Sequence, residues 1–184
     1  TAGKNKSTLD PFKEEREELM FDWNMIGDIV EGRPNLGTTM DVSVYRLMQF
    51  TLRDVLIKRF DAETADKIFY DAGQHAGKVF CRELINKENN FNDFVVELQD
   101  RLKELKIGIL RIEEANLDTL DFTLTVSEDL DCSGLPVCEE TICTYDEGFI
   151  NGILGEYTGK SFDVKEVDCW CSGDRVCRFD VKST

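Results

Sequence analysis

The spacing of apolar residues changes near Ile107, and that change limits the folds open to this chain. Before it, apolar side chains recur every three or four residues. After it they alternate, return briefly to helical spacing, and alternate again. From Asp41 onward, Val42, Tyr45, Leu47, Met48, Leu52, Val55 and Leu56 predict a helix ending near Phe60. Asp61 is placed to cap a second helix, which carries Ala65, Ile68, Phe69, Ala72, Ala76, Val79 and Phe80 to about Ile85. Its small residues Ala72, Gly73, Ala76 and Gly77 would let a neighbouring helix come close, within one chain or across a dimer. Asn90 opens a third helix with Phe94, Val95, Leu98, Leu102 and Leu105 as its apolar stripe. An earlier helix is expected from Asp10 and Pro11 to about Ile29, stopped by the loop at residues 32–37. Residues 1–10 read as a flexible tail ahead of a single domain over residues 11–184.

The alternating segments read as strands. Ile107, Ile109 and Arg111 begin the first; Leu120, Phe122, Leu124 and Val126 form the second, with a hairpin connection at residues 116–119. A helix is expected over Thr141–Tyr157, ended by Gly159 in the left-handed conformation. Two further strands lie near residues 161–171 and 175–181, joined at Ser172-Gly173-Asp174. The order helices, hairpin, helix, hairpin predicts an α+β domain with helices packed on an antiparallel sheet.

Charge excludes some partners. The formal net charge is −15, which repels phosphate backbones and anionic lipid, so direct nucleic-acid binding is not expected. No apolar run reaches the roughly 18 residues of a membrane span, so no membrane insertion is expected. No basic segment followed by an apolar one opens the sequence, and a cytoplasmic location is the expectation.

Seven cysteines are many for such a chain, and six of them fall between Cys132 and Cys177. Clustering of this kind reads better as metal binding than as disulfides. Centring the last turn on Gly173 pairs Cys169 with Cys177, Cys171 with Arg175 and Val167 with Phe179. Val167, Cys169, Cys171, Cys177, Phe179 and Val181 would then share one face, with Glu166, Asp168, Arg178 and Asp180 on the other. Opposed cysteines have Cβ atoms about 4.5–5.5 Å apart, close enough for two thiolates to meet one zinc at about 2.3 Å each. Inert buried thiols and a cross-strand disulfide fit the same register.

An ordered set of segments resembles the vinyl-4-reductase domain family, of the hydrocarbon-binding type. The residues are Gly134-Leu-Pro-Val-Cys138, Glu147-Gly-Phe-Ile-Asn-Gly152, Thr158-Gly-Lys160, Glu166 through Cys169 to Gly173-Asp174, and Cys177-Arg-Phe179. Val44-Tyr-Arg46, Asp71-Ala-Gly73 and Gly77 extend the likeness over roughly residues 35–182. The resemblance implies a ligand-sensing domain, related in fold to trafficking-complex subunits and commonly homodimeric. It implies a zinc held by three cysteines and one glutamate, matching Cys143, Glu166, Cys169 and Cys177 here. For Glu166 to reach that site, the strand must bulge near Val167 or begin only after it. Otherwise Cys138, Cys171 or Glu147 becomes the fourth ligand. Cys143 at a helix start would have its thiolate favoured by the helix dipole. Cys132, Cys138 and Cys171 are additional to the pattern, and an iron–sulfur cluster is the alternative cofactor.

Three functions are weighed. The first is a metal-stabilised domain binding a small hydrophobic or aromatic ligand. Trp23, Trp170 and Tyr45 are candidate lining residues, without a specific signal, and the ligand-binding residues stay unassigned. The second is a metal- or iron–sulfur-dependent reductase component, although no glycine-rich dinucleotide fingerprint follows a strand and His75 is the sole histidine. A closed site of four protein ligands would be structural, without the open position that catalysis needs. The third is a homodimeric assembly or scaffold protein.

Overall fold

The computed structural model describes residues 17–184, which divide into two units between Thr39 and Met40. In the first, Trp23–Ile26 form a 3-10 turn and α1 spans Ile29–Gly32. The helix expected to run to Ile29 is not continuous. Its start lies outside the described residues. Downstream, Asp22 caps Asn24 N–H, Asp28 caps Glu31 N–H, and Gly27 takes a φ of 75°. Short acidic side chains that bond nearby backbone break such a stretch into turns.

The second unit, Met40–Thr184, contains α2 (Val42–Arg59), α3 (Ala62–Leu84), α4 (Phe91–Glu104), β1 (Ile109–Asn116), β2 (Asp121–Ser127), α5 (Thr144–Thr158), β3 (Phe162–Asp168) and β4 (Cys177–Ser183). The cap residues read from the sequence take their places. Asp41, Asp61 and Asn90 accept the N–H groups of Ser43, Thr64 and Asp93, and Gly159 ends α5 at φ 71°. The sheet is antiparallel in the order β1-β2-β4-β3. The α+β class with an antiparallel sheet is therefore established. Among the described residues, no helix is long and apolar enough to cross a membrane.

Helices α3 and α5 meet through paired glycines inside the unit. A Cβ on Gly73 would lie 2.1 Å from the Tyr145 carbonyl oxygen, and one on Gly77 2.2 Å from that of Phe149. On α5, Gly148 and Gly152 face the Tyr70 and Gln74 carbonyls equally closely. Asn151 continues this seam, donating to the Tyr70 hydroxyl and the Phe162 carbonyl while accepting from Gln74. The contact fixes α5 against α3 and carries its first turn over the sheet.

The last hairpin differs from the simple alternating register. Glu166 pairs with Phe179 and Asp168 with Arg178, so Val167 bulges out, 44% exposed. The expected Cys169–Cys177 and Val167–Phe179 pairs do not form. After Asp168 the strand gives way to a 3-10 turn at Trp170–Ser172. Ser172 Oγ accepts Cys169 N–H at 3.0 Å and donates to the Cys169 carbonyl at 2.8 Å. That local exchange replaces ladder bonds at Cys169 and Cys171.

Candidate functional site

Four buried sulfurs converge beneath the first turn of α5. Cys132 comes from the loop after β2, Cys143 is the N-cap of α5, Cys169 opens the 3-10 turn and Cys177 begins β4. Their Sγ atoms all lie within 4.8 Å of one another. Cys143 stands 3.9 Å from Cys169 and 3.8 Å from Cys177, and Cys132 is 3.1 Å from Cys177. A tetrahedron with metal–sulfur bonds near 2.3 Å has edges of about 3.8 Å. Two of the measured edges match, and Cys132 and Cys177 would have to part slightly. The donor set fits a soft or borderline divalent metal.

The thiols perturb one another strongly. Cys169 is held far below the usual thiol range because Cys132, Cys143 and Cys177 all hydrogen-bond to its sulfur. Cys143 is driven far above that range by Cys132, Cys169 and Cys177 and by burial. The helix dipole expected to favour its thiolate is therefore outweighed by neighbouring sulfur. The group favours one thiolate surrounded by S–H donors. A divalent cation would replace those protons, and metal binding would release them.

Glu166 borders the sulfurs. The bulge turns it inward, where it is 3% exposed, and Oε2 accepts Cys143 N–H at 3.0 Å. Oε1 is buried without a hydrogen-bond partner. Burial pushes this carboxyl up to about 8, against the lowering effect of the Cys143 N–H. Glu147 has another role, its Oε1 accepting Lys165 Nζ and Glu166 N–H, each at 2.8 Å. Cys138 is exposed and Cys171 is buried outside the four-sulfur group. The structure thus gathers Cys143, Cys169 and Cys177, sets Glu166 against the backbone of Cys143, and adds Cys132. No local spacing singles out Cys132. It enters because β2 and β4 are sheet neighbours, with Val126 opposite Cys177.

An apolar cavity of about 50 Å³ lies alongside. Phe94 and Leu98 of α4, Leu110 of β1, Leu124 of β2, and Phe149 and Ile153 of α5 line it, among others. Asp129 and Asp146 interrupt that apolar lining. Asp129 Oδ1 accepts the N–H groups of Asp131 and Cys132, at 2.8 and 3.0 Å. Burial, then the charge of Asp131, pushes Asp129 up to about 6. Asp146 is held well above the carboxylate range by burial, with Asp129 and Asp131 adding to it. Asp131 itself accepts from the Tyr45 hydroxyl at 2.8 Å and from Gln49 at 2.7 Å. Trp170 bonds the Leu135 carbonyl, and neither it nor Tyr45 is among the residues lining this cavity. Trp23 belongs to the first unit.

Residues 122–183 match the family model of the vinyl-4-reductase domain. The fold resembles a crystal structure of a vinyl-4-reductase family protein from Methanocaldococcus jannaschii. That comparison has a TM-score of 0.61 and 21% identity, covering 91% of this chain and 99% of the other. It also resembles the phenol-responsive sensory domain of the transcription activator PoxR, solved with phenol (TM-score 0.62, 14% identity, 80% and 76% covered). A trafficking protein particle complex subunit 3 from Naegleria fowleri, covalently bound to palmitic acid, is similar at a TM-score of 0.62 and 12% identity, with 78% and 95% covered. The matched segment runs from β2 to β4 and holds all four converging cysteines, and the chain belongs through it to the vinyl-4-reductase domain family.

Proposed function

We propose that residues 40–184 form a metal-stabilised binding domain for a small hydrophobic or aromatic molecule, lodged between α4, α5 and the sheet. The observation that carries this reading is the apolar cavity directly beside four converging thiols. Ligand sites are concave, mostly apolar and furnished with a few polar groups. The similar PoxR domain was solved with phenol, and the present cavity would serve an analogous purpose. At about 50 Å³ it is smaller than the roughly 150 Å³ apolar cavity known to admit benzene. An aromatic occupant therefore requires side chains of α4 or α5 to give way.

Zinc is the proposed metal, held by Cys143, Cys169 and Cys177, with Cys132 as fourth ligand and Glu166 beside it. Four thiolates close the site, and its contribution is then stability. The same sulfurs would hold iron, which is the basis of the reductase alternative. Elemental analysis with an absorption spectrum, followed by melting curves with added small aromatics, tests the proposal. About one zinc per chain, a colourless spectrum and a raised melting temperature are expected. Iron with visible charge-transfer bands would replace this reading with a redox one, and no melting shift across a broad aromatic set would remove the binding function.

A second reading concerns assembly, and a specific surface favours it. Val44, Leu47, Met48, Leu52 and Val55 of α2 are 54, 67, 57, 48 and 47% exposed. Their spacing places them along one side of the helix, and contiguous apolar surface of this kind marks interaction sites. We propose that a second copy of the chain covers it in a homodimer.

A further inference from the structure

Two carboxylic side chains line the cavity, and they are not equivalent. Asp129 is engaged by two backbone N–H groups. Asp146 Oδ2 is buried and has no hydrogen-bond partner. Asp146 lies deep in the fold yet keeps some accessible surface, the combination expected of a group on the wall of an internal space. A buried polar atom without a partner is costly to a folded protein. Asp131, the nearby acid that could share a proton with it, is engaged by Tyr45 and Gln49. The nearby Arg46 guanidinium is directed at the carbonyls of Leu130 and Ser133. The side chains around Asp146 on the cavity wall are hydrocarbon, among them Phe149, Ile150 and Val126.

We infer that Asp146 is the specificity-determining residue of the cavity, accepting a hydrogen bond from a donor head, a hydroxyl or an amine, on an otherwise apolar ligand. This rests on the cavity being a ligand site. The body of the ligand fills the space between α4 and the sheet, and its head reaches the first turn of α5. Selection follows from the cost of leaving a buried acceptor unpaired, which penalises a ligand that lacks the donor. Plain hydrocarbons are disfavoured, and acids are repelled by Asp129 and Asp146 together.

Ethylbenzene, benzyl alcohol and benzylamine share one shape and differ in a terminal methyl, hydroxyl or amine. Their affinities are measured by calorimetry on the metal-containing protein and on its Asp146→Leu and Asp146→Asn variants. Leucine is close to aspartate in shape and suits an apolar wall. Affinity for at least one donor-bearing probe, relative to ethylbenzene, should fall roughly tenfold or more in Asp146→Leu, while Asp146→Asn, which keeps a carbonyl acceptor, retains part of it. Comparing ratios removes the different cost of drying each head. The alcohol and amine arms show which head the site prefers. An unchanged ratio in Asp146→Leu overturns the assignment and leaves the cavity a ligand site. Absence of binding by all three probes to the unsubstituted protein overturns both. Loss of metal from Asp146→Leu also overturns it, because Asp146 would then serve the sulfurs.

Discussion

Glu166 shows how one residue can reverse an inference about sidedness. Strict alternation puts it beside Asp168 on the outer face. The structure separates the two: Glu166 opposes Phe179 in the core, and Asp168 opposes and ion-pairs with Arg178. Val167 is the extra residue between them. A bulge of this kind leaves little trace in composition, so the sequence states only the condition under which Glu166 turns inward. Cys132 is obscured for a different reason. It stands 11 residues from Cys143 and 45 from Cys177 in the chain, and only the β2–β4 pairing brings it in. The two residues make separable predictions. Cys132→Ser should reduce zinc content sharply and lower the melting temperature. Glu166→Gln should keep the metal and weaken its affinity by roughly 10- to 100-fold, as expected of a group orienting a ligand from behind. The opposite pattern in a zinc competition titration would make Glu166 the ligand.

At the scale of elements, the sequence is most legible where local chemistry decides. Asp41, Asp61 and Asn90 each bond the N–H groups of a helix start, and Gly159 takes the left-handed position. No distant residue is needed to read those boundaries. The stripe of α4 is equally plain, but a stripe does not reveal that a hollow lies beneath it. The segment before Thr39 misleads because short aspartate caps interrupt a composition rich in helix formers. The glycines of α3 are legible as a close approach, and their partners on α5 make that approach reciprocal. Gly152→Ala places a Cβ 2.1 Å from the Gln74 carbonyl oxygen, and the carbonyl belongs to a helix that cannot yield alone. A loss of roughly 1–3 kcal/mol or more in chemical denaturation is expected. Gly134→Ala meets no atom within 4 Å, although its φ of +89° makes the residue strained for another reason. It therefore separates backbone strain from helix crowding.

At the scale of the molecule, the question is what covers α2. The helix is tethered on its polar side by Tyr45 and Gln49 on Asp131 and by Arg46 on the loop carbonyls of Leu130 and Ser133. Its apolar residues are left outward. In a two-fold dimer the same patch is used by both copies, so one charge enters the interface twice. Light scattering after size exclusion should give twice the 21.1 kDa chain mass for the unsubstituted protein. Leu47→Glu combined with Leu52→Glu should give the monomer with little change in far-ultraviolet circular dichroism. A monomer in both cases would leave α2 for another partner.

The first turn of α5 carries both Cys143, among the sulfurs, and Asp146, on the cavity wall. One turn of helix is too short and too well bonded to let its two ends respond independently. Occupancy of either site therefore bears on the shape of the other, and thermodynamic linkage makes the effect mutual. Whatever factor the metal adds to the affinity for the apolar guest, the guest returns to the metal. A domain built this way would register metal supply and ligand supply as a single signal.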